Sequence, residues 1–189
     1  MPGEFAEWFD GGSLTNRGMY MSPWTSAKYL WAVAETLLGL DGYRTTGPFH
    51  ISPLVPPEFQ WVAAVRVYWG GRLCTYVVDT RRRVIYGDMR EAAADEPYRM
   101  VFAGRDVSDE ISTSPVEVSA IAFEDDAGAV RMFLGNWDDR PRNVAVEFRG
   151  ETFRRKLDRG ELCEVTVGRP LLVDATPVKA VPGLESAPV

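Results

Sequence analysis

Apolar residues along this chain keep one spacing near the start and a different one afterwards, and the change separates two kinds of structure. Ala27, Leu30, Trp31, Ala34, Leu37 and Leu38 recur at three- and four-residue steps. That spacing predicts one amphipathic helix over 24–38. Ser22 suits the N-cap, Pro23 the first helical position and Gly39 the stop. Residues 1–21 read as a loop punctuated by Gly11-Gly12 and Gly18. Beyond a Gly- and Thr-rich linker at 42–47, Pro53, Pro56 and Pro57 exclude helix and suit an extended crossing. The period then falls to two: Trp61, Ala63, Val65, Val67 and Trp69 are expected on one face of a strand. Gly70-Gly71 signals a two-residue hairpin. Further strand-like runs are expected at 73–79, 84–86, 116–123, 130–134, 144–148, 152–157 and 162–167. Short strands separated by regular turns predict a mainly β chain, an antiparallel β-sandwich preceded by one N-terminal helix. The expected division is a loop and helix over 1–45, a β-sandwich over 46–169 and an extended Pro-, Ala- and Val-rich tail over 170–189.

Composition narrows the function. The 189 residues suffice for one domain or a small domain with an appended piece, and 46% hydrophobic with 25% charged residues is ordinary for a globular chain. A formal charge of -6 argues against nucleic acid, which needs a basic face. No apolar run reaches the roughly 18 residues of a membrane span, and no basic-then-apolar leader opens the chain, so the expected location is cytoplasmic. Cys74 and Cys163 fall in strand-like runs and read as buried thiols or as a bridge between strands. His50 is the only histidine. A His-based triad would centre on it with no nucleophile motif nearby, and a zinc site lacks ligands at suitable spacing. No metal and no cofactor is therefore expected. Arg81-Arg82-Arg83 lies in a predicted turn, as a solvated loop or a phosphate contact.

The candidate chemistry sits at the start. Glu7-Trp8-Phe9-Asp10-Gly11 places two carboxylates among aromatic rings and glycines, and Trp24 follows on the predicted helix. Aromatic rings suit the apolar faces of sugars, and carboxylates suit hydroxyls and proton transfer. With Gly3, these residues read G-x-x-x-E-x-F-D-G followed by a Trp-bearing helix. In this they resemble the end of the catalytic barrel of amylo-α-1,6-glucosidase-type proteins, the glucosidase half of glycogen debranching enzymes. The resemblance is specific over about residues 3–40. The proline-rich stretch Phe49 to Trp61 looks like the exit from the barrel in several (α/α)-barrel sugar enzymes, disaccharide phosphorylases among them.

That resemblance implies the last loop and helix of an incomplete (α/α)6 barrel, joined to an accessory β-sandwich. It implies hydrolysis of α-linked glucosides, α-1,6 branches among them, with inversion and without a cofactor. Glu7 would be the general base that deprotonates the attacking water. Asp10, Trp8, Tyr20 and Trp24 would bind substrate. An inverting pair stands roughly 6.5–9.5 Å apart around that water. The family's general acid is an aspartate well upstream with no counterpart here, so the chain alone is expected to be inactive. Its implied partners are an oligosaccharide or α-glucan, and an upstream barrel segment or partner chain covering the helix. Phosphorylases replace the activated water with phosphate and need no carboxylate base, so Glu7 favours a hydrolase over a phosphorylase tail.

Plainer readings stand beside these. Glu7 and Asp10 also fit solvated loop acids; Tyr20 fits a pocket wall or loop packing. Trp24 fits a core position, and Trp31 is expected in the core. A different class of function is a non-catalytic β-sandwich that binds sugar or protein through exposed aromatics such as Trp69, Tyr86 or Trp137. Trp137, in the turn Asn136-Trp137-Asp138-Asp139, would be its platform or else a cap on the sandwich edge.

Overall fold

The structure, a computed structural model, describes residues 8–9, 12, 16–17, 23–40, 49–69, 71–115 and 117–167. The expected helix stop at Gly39 is where the fold takes hold. Helix α1 spans Pro23–Ala32 and continues as a π turn, Val33–Leu37, rather than as one regular helix. Leu38 N–H bonds Val33 O at 3.0 Å and Leu40 N–H bonds Ala34 O at 2.9 Å, both wider than the α-helical step. Gly39 adopts φ +72°, and a Cβ there would stand 2.3 Å from Pro53 N. Only glycine fits. The carbonyls freed at this end find partners outside the helix: Thr36 O takes Leu54 N–H at 2.8 Å, and Leu38 O takes the Tyr76 hydroxyl at 2.7 Å.

In chain order the strands are β1 (Trp8–Phe9), β2 (Asn16–Arg17), β3 (Phe49–Ile51), β4 (Trp61–Trp69), β5 (Arg72–Asp79), β6 (Val84–Gly87), β7 (Ala92–Ala94) and β8 (Arg99–Phe102). After them come β9 (Arg105–Asp106), β10 (Ile111–Ser114), β11 (Val118–Glu124), β12 (Val130–Asn136), β13 (Arg142–Phe148), β14 (Glu151–Leu157) and β15 (Leu162–Val167). The described residues are therefore mainly β with one short N-terminal helix. The expected single β region over 46–169 divides into two compact units between Phe102 and Ala103, and α1 belongs to the first. The expected tail over 170–189 lies outside the described residues, as do Ser22 and the linker at 42–47.

In the first unit, one sheet has the order β4-β5-β6-β8, and β3 pairs with β7 in a second, two-stranded sheet. The expectation of purely antiparallel pairing is corrected here. β6 runs parallel to β8 and β3 parallel to β7. Parallel neighbours cannot be joined by a tight turn, and residues 88–98, which include β7, make the crossing. The even alternation expected from Trp61 to Trp69 also fails. Ala64 faces Tyr76 and Val67 faces Cys74, so Val65 and Arg66 together oppose Thr75. This is a β-bulge, with Arg66 at φ +51° and its N–H donating to Thr75 Oγ1 at 3.0 Å. The extra residue moves the inward positions from Val62 and Ala64 to Val67 and leaves Val65 exposed. Ile51, Val62, Tyr76, Val78 and Ile85 form the centre of the core, with Ala34, Leu37 and Leu38 packed against it.

The second unit follows the expected period of two closely. Its sheets, β15-β12-β11-β9 and β10-β13-β14, are antiparallel throughout. Val130, Met132 and Leu134 from one sheet share a core with Val144, Val146 and Phe148 from the other. Two sheets closing on one core make a sandwich. Phe148 pairs with Glu151 across Arg149 and Gly150, which take φ +50° and +82°. Positive φ at both central residues is the hairpin turn whose twist matches the strands.

Candidate functional site

The acidic motif straddles a short ladder. Trp8 of β1 pairs with Arg17 of β2, and Phe9 with Asn16. Glu7, Asp10 and Tyr20 lie outside the described residues. Trp24 occupies the first turn of α1.

The helix that follows is covered along only part of its stripe. Ala34, Leu37 and Leu38, at its C-terminal end, pack on the core of the first unit. Further up the same stripe Leu30 is 66% exposed and Trp31 49%, with Tyr29 exposed beside them. Trp31 is thus not the core residue that its spacing suggested. Periodicity identifies the face of a helix, not the length of it that a neighbour covers. Tyr86 departs in the other direction: expected as an exposed aromatic, it is buried. Sequence reasoning missed Glu35. It sits in the π turn with Oε1 buried and no hydrogen-bond donor to it. A buried carboxylate oxygen without a donor is uncommon, and π turns concentrate at functional positions. No signal in the sequence distinguishes this glutamate from a solvated helix acid.

A second cluster gathers in the second unit where β12 ends. Asn136 is fully buried, and its amide nitrogen donates to Arg140 O at 2.8 Å and Asp158 O at 2.9 Å. Its Oδ1 accepts Asp138 N–H at 3.0 Å. Trp137, 53% exposed, is held by its main-chain N–H to Glu117 O at 3.2 Å and by its indole N–H to Ser119 Oγ at 2.7 Å. Next to it Asp138 accepts from Arg142 Nε at 2.6 Å and from Nη2. Hydrogen bonding from Asp139 and then from Arg142 holds the Asp138 carboxyl down at about 2. Arg140 Nε stands 3.3 Å from Asp139 Oδ1.

A third cluster is an ion-pair network on the same unit. Arg149 bridges Glu110 at 2.5 Å and Glu124 at 2.7 Å, and Arg105 reaches Glu124 at 2.7 Å. Hydrogen bonds from Arg149 first, then Arg105, hold Glu124 at about 2. Glu124 and Asp138 are both pushed toward the ionised form, so neither suits a general acid at neutral pH. In the first unit His50 Nε2 stands 3.0 Å from Asp95 Oδ1, which clips the middle of β3 to the residue after β7. The Arg81-Arg82-Arg83 run is exposed and serves its turn. Arg82 N–H bonds Asp79 Oδ1 at 2.9 Å, and Arg83 O accepts Arg99 N–H at 3.0 Å.

Cys74 and Cys163 are free and buried in the two cores, without a bridge, and burial raises both thiols. Among the described residues no three His, Cys, Asp or Glu side chains gather as a metal site, and no helix is long and apolar enough to cross a membrane. No protein-family model, no curated protein and no solved structure matches this chain.

Proposed function

We propose that this chain supplies the C-terminal part of an inverting α-glucosidase of the glycogen-debranching kind. Its opening motif contributes to the catalytic barrel, and its β units are accessory. The observation that carries the reading is the half-covered helix. Leu30 and Trp31 continue the stripe formed by Ala34, Leu37 and Leu38, yet stand exposed. Such a face suits the wall of a larger helical assembly. The helix also directly follows the motif that resembles a barrel loop carrying a general base. Glu35, with a buried oxygen lacking a donor, suits the same assembly, in which a neighbouring helix brings an N–H or O–H to it.

On this reading Glu7 draws the proton from the attacking water. Asp10 and Tyr20 bind hydroxyls, and Trp8 and Trp24 offer apolar platforms. The general acid and the remaining walls come from an upstream segment of a longer chain, or from a partner chain, seated on Tyr29, Leu30 and Trp31. A base without its acid and without a positioned sugar loses most of its rate advantage, so the chain alone has no turnover. Two free buried thiols suit a reducing compartment, and we place the enzyme in the cytoplasm.

The test joins this chain to a segment that supplies the helical barrel and assays release of glucose from α-1,6 branch stubs. Activity requires the joined protein and is independent of phosphate. Glu7→Gln lowers kcat by at least about a hundredfold, the scale of a lost general base, with little change in KM. Retained turnover in that variant removes Glu7 from the base position.

A further inference from the structure

We propose that the open edge of β14 takes an extended acidic segment of a partner protein, which adds to the sheet as a further strand. This surface is independent of the catalytic reading above: it joins unpaired cations to unpaired main chain on one strand.

β14 ends the order β10-β13-β14, so among the described residues it has a neighbour on one side alone. Its hydrogen-bonding pattern follows from the two-residue turn at Arg149 and Gly150. Phe148 and Glu151 close that turn, and hydrogen-bonded pairs then recur at every second residue: Val146 with Phe153, Val144 with Arg155 and Arg142 with Leu157. The main-chain N–H and C=O groups of Thr152, Arg154 and Lys156 therefore point away from β13, toward the free edge. The side chains of the same three residues are exposed, whereas Phe153 packs on the core and Leu157 is buried.

The cations of this unit divide at the same strand. Arg105, Arg131, Arg140, Arg142 and Arg149 each reach a carboxylate. Arg154, Lys156 and Arg159 are exposed and have no ion pair among the described residues. Across the ladder Arg154 meets Ala145 and Lys156 meets Asn143, so no acid opposes either. Over 152–160 four cations stand with one acid, Asp158, in a chain whose net charge is -6. Edge cations guard a sheet against pairing with a second copy, because two such edges would bring like charges together. An acidic strand meets the opposite condition. Side chains alternate along a strand, so carboxylates at every second residue of the incoming segment fall beside Arg154 and Lys156 on one face. Main-chain bonds to the open edge supply affinity, and the placed charges supply choice. A polyphosphate would use the charges and leave the main-chain groups of Thr152, Arg154 and Lys156 unpaired.

The experiment is fluorescence anisotropy of the full chain with a labelled probe peptide, Thr-Glu-Val-Glu-Val-Glu-Thr, which alternates carboxylates with apolar residues. The full chain binds it, and raised ionic strength weakens the binding. Arg154→Glu combined with Lys156→Glu weakens the apparent affinity by at least about tenfold, because like charges then face each other across the new ladder. Thr152→Pro, which keeps every cation and removes one outward N–H, weakens it a few-fold. Arg81→Glu, in the exposed turn of the first unit, leaves it unchanged. Unaltered labelling of Cys163 shows that the variants keep their fold. A probe N-methylated at its Glu residues and one N-methylated at its Val residues lose donors on opposite edges, so one of the two fails to bind. Equal affinity of both N-methylated probes overturns strand addition, and affinity that survives the double charge reversal overturns the role of the cations. Absence of binding by the unmodified probe overturns the acidic segment as partner, and inorganic polyphosphate bound in its place assigns the cations to a polyanion instead.

Discussion

Tyr76→Phe isolates the tie that fixes the end of the helix to the first unit. Tyr76 is 0% exposed, and its hydroxyl donates to Leu38 O at 2.7 Å. Burial pushes that hydroxyl far above the ordinary tyrosine range, so it remains a neutral donor across the working pH range. Phenylalanine keeps the ring and its edge contact with Phe49, 6.5 Å between centroids. What is lost is one donor to a helix-end carbonyl that no intrahelical N–H can reach. Leaving such an acceptor unsatisfied costs about 1–3 kcal/mol. At about 1.4 kcal/mol per factor of ten, the opening equilibrium of the first unit rises roughly 5- to 150-fold.

The cysteines allow that change to be read unit by unit. Cys74 lies in the core of the first unit and Cys163 in that of the second. Burial shields both thiols and raises both pKa values, so each reacts with a thiol reagent chiefly when its own unit opens. Native-state labelling followed by peptide mapping should show Cys74 modified faster in Tyr76→Phe by the factor above, and Cys163 unchanged. A change of less than twofold at Cys74 would refute the account of the helix-end tie. Equal acceleration at both sites would refute the independence of the two openings.

The remaining predictions concern two glycines and one arginine. Gly39→Ala combines a left-handed φ with a Cβ 2.3 Å from backbone, whereas Gly150→Ala meets nothing within 4 Å. Gly150→Ala should therefore cost about 1–2 kcal/mol, the backbone term alone, and Gly39→Ala at least about 2 kcal/mol more; labelling of Cys163 and Cys74, respectively, reads the difference. The carboxyl of Glu124, held at about 2, is ionised more readily in the folded chain than in the unfolded one. Its contribution is complete above an unfolded value of about 4.3 and is lost as pH falls from there toward 2. Arg149→Gln should flatten the fall in the urea midpoint between pH 5 and pH 2.5, leaving a residual slope from Asp138, and an unchanged slope would show that the network does not stabilise the sandwich.

The parts of the fold that could be read from sequence are those governed by neighbours in the chain. The helix stop at Gly39, the hairpin closed by the pair Trp69 and Arg72 and the alternation of Val130, Met132 and Leu134 each depend on local backbone geometry or a fixed period. What could not be read depends on distant partners. Strand β7 is Ala92-Ala93-Ala94, which carries no β signal and exists because Phe49 to Ile51 lie beside it. The bulge at Val65 and Arg66 follows from the hydroxyl of Thr75, and the π turn from acceptors at residues 34 and 33 that take Leu40 and Leu38. The candidate site divides in the same way. The motif around Glu7 was conspicuous in sequence, and Trp137 could be named, but the bracing by Ser119 and the orphaned oxygen of Glu35 needed coordinates.

The half-covered helix would link the energetics of this chain to the chemistry proposed for it. A helix as short as α1 is marginal on its own account, and its stability must come from packing. Among the described side chains, Ala34, Leu37 and Leu38 meet the core after Val33, and Leu54 and Tyr76 take the free carbonyls there. The turns nearer Pro23 contribute Tyr29, Leu30 and Trp31 to solvent instead. Whatever covers those three side chains gains their apolar area, and in doing so fixes the helix end from which the Glu7 segment departs. Catalysis by a carboxylate depends on placement at the ångström scale. On the function proposed above, the contact that completes the helix would also position Glu7 as the base, which would make assembly and activity a single event.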